Sequence, residues 1–130
     1  MNAAAMANAY KTQQIMTASP EELTLMLYNG TLRFVNESVR AIDQQDAEAA
    51  NRTNLRAQAI VRELMNTLDT QYEVAQSMLP LYEYMERRLI EGNIQKDSAP
   101  LLEVKALMTE LRDSWATAMK SVRADKAVAR

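Results

Sequence analysis

Thr17-Ala18-Ser19-Pro20-Glu21-Glu22-Leu23-Thr24-Leu25-Met26-Leu27-Tyr28-Asn29-Gly30 opens the first long helix of this chain. Ser19 stands at the N-cap, where its hydroxyl accepts from the Glu22 N–H. Pro20 takes the first helical position, which needs no N–H, and Glu22 reaches back in a capping box. Two acids suit the positive end of a helix. From this start an apolar seam runs through Leu25, Tyr28, Leu32, Val35, Val39 and Ile42 in alternating steps of three and four residues. That is the period of a helix packed along its neighbours. A second stripe, Leu23, Leu27 and Phe34 with Gly30 between them, projects roughly 100° or more away from the seam at about 100° per residue. Two readings of it stay open: core of a central helix, or a face covered by another segment or a partner.

A length of 130 residues is that of one domain, burying about two thirds of the surface its unfolded chain exposes. Enrichment in Ala, Leu, Met, Glu, Gln and Arg favours helix throughout, so the expected fold class is all-α. With no cysteine there is no disulfide or thiol chemistry, and the fold needs no oxidising compartment. Met1 to Lys11 lacks the basic start and sustained apolar run of a signal peptide. No apolar stretch approaches the roughly 18 to 20 residues of a membrane span, so no membrane insertion is expected. A formal charge of −2 with dispersed signs argues against nucleic acid as a partner. Lys120, Arg123, Lys126 and Arg130, set against Asp125, suit the negative end of the last helix.

Residues 1–18 read as a mobile arm with too few apolar groups for a stable independent helix. Its Tyr10 and Ile15 are large enough to settle on a greasy surface within reach. Residues 19–123 hold the helices and 124–130 a basic tail. The first helix is expected from about Pro20 to Gln44. After a tight connection, Asp46 caps a second that reaches Leu68 through Ala47, Ala50, Asn54, Ala57, Val61 and Leu64. Asn54 sits in that seam, where its amide needs partners and sets register. A third helix runs from Glu73 to Glu91, kinked or broken at Pro80, with Gly92 as its left-handed terminator. The last starts at Ser98 and carries Leu101, Val104, Met108, Leu111, Trp115, Ala118 and Val122. Four helices with short connections make an antiparallel up-down-up-down four-helix bundle.

Catalysis finds little footing. The di-iron chemistry of helical bundles needs Glu-x-x-His pairs, and the chain has no histidine. No phosphate loop is present, and no carboxylate, lysine or hydroxyl stands in a spacing that demands a catalytic role. Glu86, Arg87 and Arg88 read as a solvated face. No metal site and no cofactor are expected. What remains is surplus apolar surface, with adaptable methionines such as Met26, Met78 and Met85 suited to a bound segment.

Tyr10, the Thr17–Gly30 run, the block Leu81-Tyr82-Glu83-Tyr84-Met85-Glu86-Arg87-Arg88-Leu89, and Leu102-Glu103-Val104 with Leu107, Leu111, Arg112, Asp113 and Trp115 follow in order over nearly the whole chain. Together they resemble the flagellin export chaperone family, FliS. One departure is the turn Asp69 to Tyr72, which lacks the paired glycines many relatives carry before the third helix. The resemblance implies a cytoplasmic chaperone that binds the C-terminal portion of flagellin, prevents premature polymerisation and delivers it to the flagellar export gate. It also implies that the segment around Tyr10 covers or gates the flagellin site. The client contacts are expected on Leu23, Leu27 and Phe34 and on the Tyr82, Met85, Leu89 side of the third helix, with Tyr10 and Ile15 competing for that surface. The alternative is a self-associating structural or regulatory bundle without a flagellin client, in which a homodimer pairs the second stripe with itself. A membrane-surface protein would need a basic helix face that the chain lacks.

Overall fold

The computed structural model describes residues 2–128, and within them the chain is helical, with no strand. The helices are α1 (Ala3–Thr17), α2 (Pro20–Asp43), α3 (Ala47–Asn66), α4 (Glu73–Gln95) and α5 (Ser98–Val128). Most of their starts are capped by the residue just before. Ser19 Oγ accepts from the Glu22 N–H at 3.2 Å and Asp46 Oδ1 from the Ala49 N–H at 3.1 Å. Asn2 does the same for α1, whereas Tyr72 precedes α4 without a side-chain cap. Asp97, not Ser98, receives an N–H of α5, that of Ala99 at 3.0 Å.

α2 packs on α3 and α5, and α4 packs on α3 and α5, so the four close a ring around one core. Across α2 and α3 the partners step in opposite sequence order: Gly30 faces Ile60, and further along Ser38 Oγ donates to the Ala50 carbonyl. The same reversal holds across α3 and α4, where Arg62 pairs with Glu86 and Asn93 bonds Asn51. Each helix contributes its seam to the core: Tyr28, Leu32 and Val35; Ala57, Val61 and Leu64; Tyr82, Met85 and Leu89; Leu101, Val104 and Met108. Burial of these side chains is the main stabilising term, about 1.5–3 kcal/mol for each large aliphatic one. One polar network lies among them. Asn54 Nδ2 donates to the Leu89 carbonyl at 3.0 Å while its oxygen accepts from Gln58 Nε2 at 2.8 Å, so the buried amide is satisfied and ties α3 to α4.

Several expectations are corrected. The N-terminal arm is a helix, α1, although every described residue from Asn2 to Thr17 is exposed. Its alanines favour helix and its Asn2 cap supplies the start, so local propensity forms it without packing. Gly92 does not end α4: the helix continues to Gln95, and Lys96 takes the left-handed conformation at φ 50°. Gly92 is instead the point of closest approach to α5, where a Cβ would lie 2.2 Å from Leu101 Cδ1. Pro80 does not break the helix, which runs continuously through it with the ring on the exposed side. Near its end α5 loses cover: Val122, expected in the seam, is 51% exposed. Residues 124–128 of the basic tail are helical and continue α5. The Lys126 side chain and Arg130 lie outside the described residues. No helix among the described residues is long and apolar enough to cross a membrane.

Candidate functional site

A groove of about 510 Å³ opens where the first turns of α2, the end of α3 and the start of α4 converge. The α2 seam and its second stripe both reach it. Tyr28, on the seam, forms the floor with Tyr82 of α4 and Trp115 of α5, and Leu23 and Leu27 of the second stripe form one wall. Leu68, Ala75 and Met78 form the other wall. Ala75 is the buried residue of the first turn of α4, and its small methyl leaves room in the groove that it lines. The Asp69–Tyr72 turn then carries Tyr72 and Val74 to the mouth, where they are 65% and 74% exposed.

The floor is held by directed contacts. The Tyr28 and Tyr82 hydroxyls share a hydrogen bond of 2.7 Å. The Trp115 ring meets Tyr28 edge-on at 6.3 Å, and its indole N–H donates to the Glu21 carbonyl at 3.0 Å. Burial pushes both phenols above their ordinary range. For Tyr82 the bond to Tyr28 adds to the rise, and for Tyr28 the same bond partly opposes it. They stay neutral at physiological pH, so the floor is uncharged. On the far side of the first α2 turn, Ser19, Glu22, Ala118, Met119 and Val122 border a smaller cleft of about 390 Å³, and Trp115 lines both. Among the described residues no cluster of His, Cys, Asp and Glu could hold a metal ion.

The expected site residues separate into four places. Leu23 and Leu27 line the groove, with Tyr82 beneath them. Met85 and Leu89, expected beside Tyr82 on the same surface, are fully buried. Positions 82, 85 and 89 follow the seam of α4, which points to the ring's centre, and only its first member lies near enough to the α4 start to touch the groove. Phe34 is on a different face, half-buried between α2 and α3 with the Arg33 and Arg56 guanidinium carbons 5.3 and 5.5 Å from its ring centroid. Tyr10 and Ile15 do not rest on a greasy surface; they are 63% and 51% exposed on α1. Met26 is not in the groove, whereas Met78 is. Sequence reasoning missed Leu68, Tyr72 and Val74. The signal was an aromatic, Tyr72, in a polar turn and an exposed β-branched residue, Val74, in the first turn of the helix after it, where solvent alone gives no reason for either.

Residues 2–122 match the family described as flagellar protein FliS. This chain belongs to the FliS family. A FliS relative, the flagellar secretion chaperone FliS of Bacillus subtilis, is 43% identical over 118 residues, covering 91% of this chain and 89% of that protein. The protein of the same name from Campylobacter jejuni is 34% identical over 110 residues, 83% of this chain and 86% of its own length. The Escherichia coli one is 29% identical over 110 residues, 82% and 81%. These FliS proteins are named as chaperones of flagellar secretion, and no catalytic role is indicated.

Proposed function

We propose that this FliS-family chain is an export chaperone that binds the disordered C-terminal region of flagellin in the cytoplasm, prevents its premature polymerisation and supports its delivery to the flagellar type III export apparatus. The observation that carries this reading is the groove, an open trough with apolar walls of Leu23, Leu27, Leu68 and Met78 above a floor of three aromatic rings. An amphipathic client segment lays apolar residues spaced i, i+3/i+4, i+7 into such a trough and completes helix packing that it would otherwise make in the filament. Ordering the client costs about 2–5 kcal/mol of the gross binding energy, which keeps release feasible. The scaffold is read as an antiparallel up-down-up-down four-helix bundle of α2 to α5, a reading that the reversed order of contacts supports. Such a frame holds both groove walls rigid while the client orders.

Isothermal titration with the C-terminal segment of flagellin from the same organism tests the proposal. A saturable heat whose affinity Leu27→Asp weakens by about 10-fold or more supports it. Absence of saturable heat, together with a stable dimer by light scattering, favours the self-associating bundle instead.

A further inference from the structure

We propose that Glu63 and Asp69 make the groove selective for a client segment carrying a lysine or arginine at the edge of its apolar face. This inference rests on the groove being the client site. Every other residue lining the groove is uncharged, so these two carboxylates alone set the sign of its rim. Neither pairs with a cation among the described residues. The arginine next to Glu63 in sequence, Arg62, is held 2.8 Å from Glu86 on α4. Asp69 Oδ1 accepts only a backbone N–H, that of Gln71 at 3.1 Å.

The backbone reinforces this sign. The C-terminal end of α3 reaches the rim with no basic residue in its last turn, so no cation of that turn offsets its partial negative charge. The opposite end charges, at the starts of α2 and α4, are offset by Glu21 and Glu22 and by Glu73. Both carboxylates belong to exposed residues at the groove's edge, where they attract an entering cation as surface charges that salt screens. The occupant whose chemistry complements the rim is an amphipathic helix with a cationic residue flanking its apolar stripe, and an acid at that position is repelled. The walls supply affinity and the rim supplies register.

Two synthetic amphipathic peptides with one apolar face, differing only by Lys or Glu at a single flanking position, test this against the full chain by titration calorimetry. The Lys peptide is expected to bind about 5-fold or more tightly, with the difference shrinking as NaCl rises from about 0.05 M to about 0.5 M. Glu63→Gln and Asp69→Asn, which keeps an acceptor for the Gln71 N–H, each weaken the Lys peptide about 2- to 5-fold and leave the Glu peptide unchanged or tighter. Glu63→Lys reverses the preference. Equal affinity for the two peptides in the wild-type chain overturns the rim assignment while leaving the client groove standing. Failure of both peptides and of the flagellin segment to bind overturns the groove assignment, and this inference with it.

Discussion

The hydroxyls of Tyr28 and Tyr82 meet at 2.7 Å beneath the groove and join α2 directly to α4, two helices that otherwise touch mainly through the pair between them. Both residues are 2% exposed, so each hydroxyl depends on the other for its hydrogen bond. Tyr82→Phe therefore leaves the Tyr28 hydroxyl buried and unpaired, at a cost of about 1–3 kcal/mol. Tyr28→Phe does the same in reverse. The double variant removes both polar groups and costs clearly less than the sum of the two, a coupling that urea unfolding of the four proteins measures.

Those phenols also set a pH window. Their ordinary value is 10.0 and burial raises both in the folded chain. Below about pH 10 they are protonated in folded and unfolded chains alike, so their contribution is complete and independent of pH. Above that, the unfolded chain releases these protons while the folded chain keeps them, and stability falls as pH rises toward the folded values. Urea midpoints between about pH 9 and pH 11 should decline more steeply for the wild type than for Tyr28→Phe/Tyr82→Phe.

The two glycines differ in what surrounds them. At Gly30 an added Cβ comes 3.1 Å from Ile60 Cδ1, the movable end of a side chain. At Gly92 it comes 2.2 Å from Leu101 Cδ1 and 3.0 Å from the Asp97 carbonyl. Alanine in a helix gains about 0.5–1 kcal/mol over glycine, so Gly30→Ala should fall within roughly 1 kcal/mol of neutral. Gly92→Ala should lose about 1–3 kcal/mol from overpacking despite that gain. Chemical denaturation of both variants checks the contrast.

Much of this architecture is legible before any coordinates, and the reason is physical. Ser19-Pro20-Glu21-Glu22 and Asp46 announce helix starts through side-chain acceptors that act on residues two or three further along. The seams are legible because burial follows a period of about 3.5 residues. Gly92 misleads because a glycine that ends a helix and one that permits close approach look the same in a string of letters; Leu101, which distinguishes them, is distant in sequence. Met85 and Leu89 were expected at the groove for a related reason. Periodicity marks a face as apolar without saying whether a fourth helix already covers it. The groove's outer wall is the least legible part, because Leu68 and Val74 fit the helical periods on either side of the turn while no period shows that they and Tyr72 converge across it.

α1 contributes no buried residue. Removing residues 1–16 should therefore change the unfolding free energy by no more than about 0.5 kcal/mol, as surface changes do. A helix of 15 residues with no packed face is marginal in water. Its amides should exchange with solvent far faster than those of α2 to α5, which hydrogen exchange followed by mass spectrometry resolves.

Leu27 and Leu89 are both leucines on faces expected to meet a client, and they sit in opposite surroundings. Leu89 is fully buried at the ring's centre, beside the Asn54 amide that bonds its own carbonyl. Leu27 is half-buried on the groove wall with open space before it. Leu89→Ala should cost about 2–5 kcal/mol of stability, the range for emptying a packed core position. Any loss of flagellin-segment binding it shows should then track the fraction unfolded and recover under stabilising conditions. Leu27→Asp should leave far-UV dichroism and the urea midpoint close to wild type, because its carboxylate reaches water through the groove mouth. Yet it places a charge against the client's apolar face, and binding should weaken on the order of 10-fold or more. If instead Leu27→Asp binds the flagellin segment as tightly as wild type while remaining folded, the client does not occupy this groove.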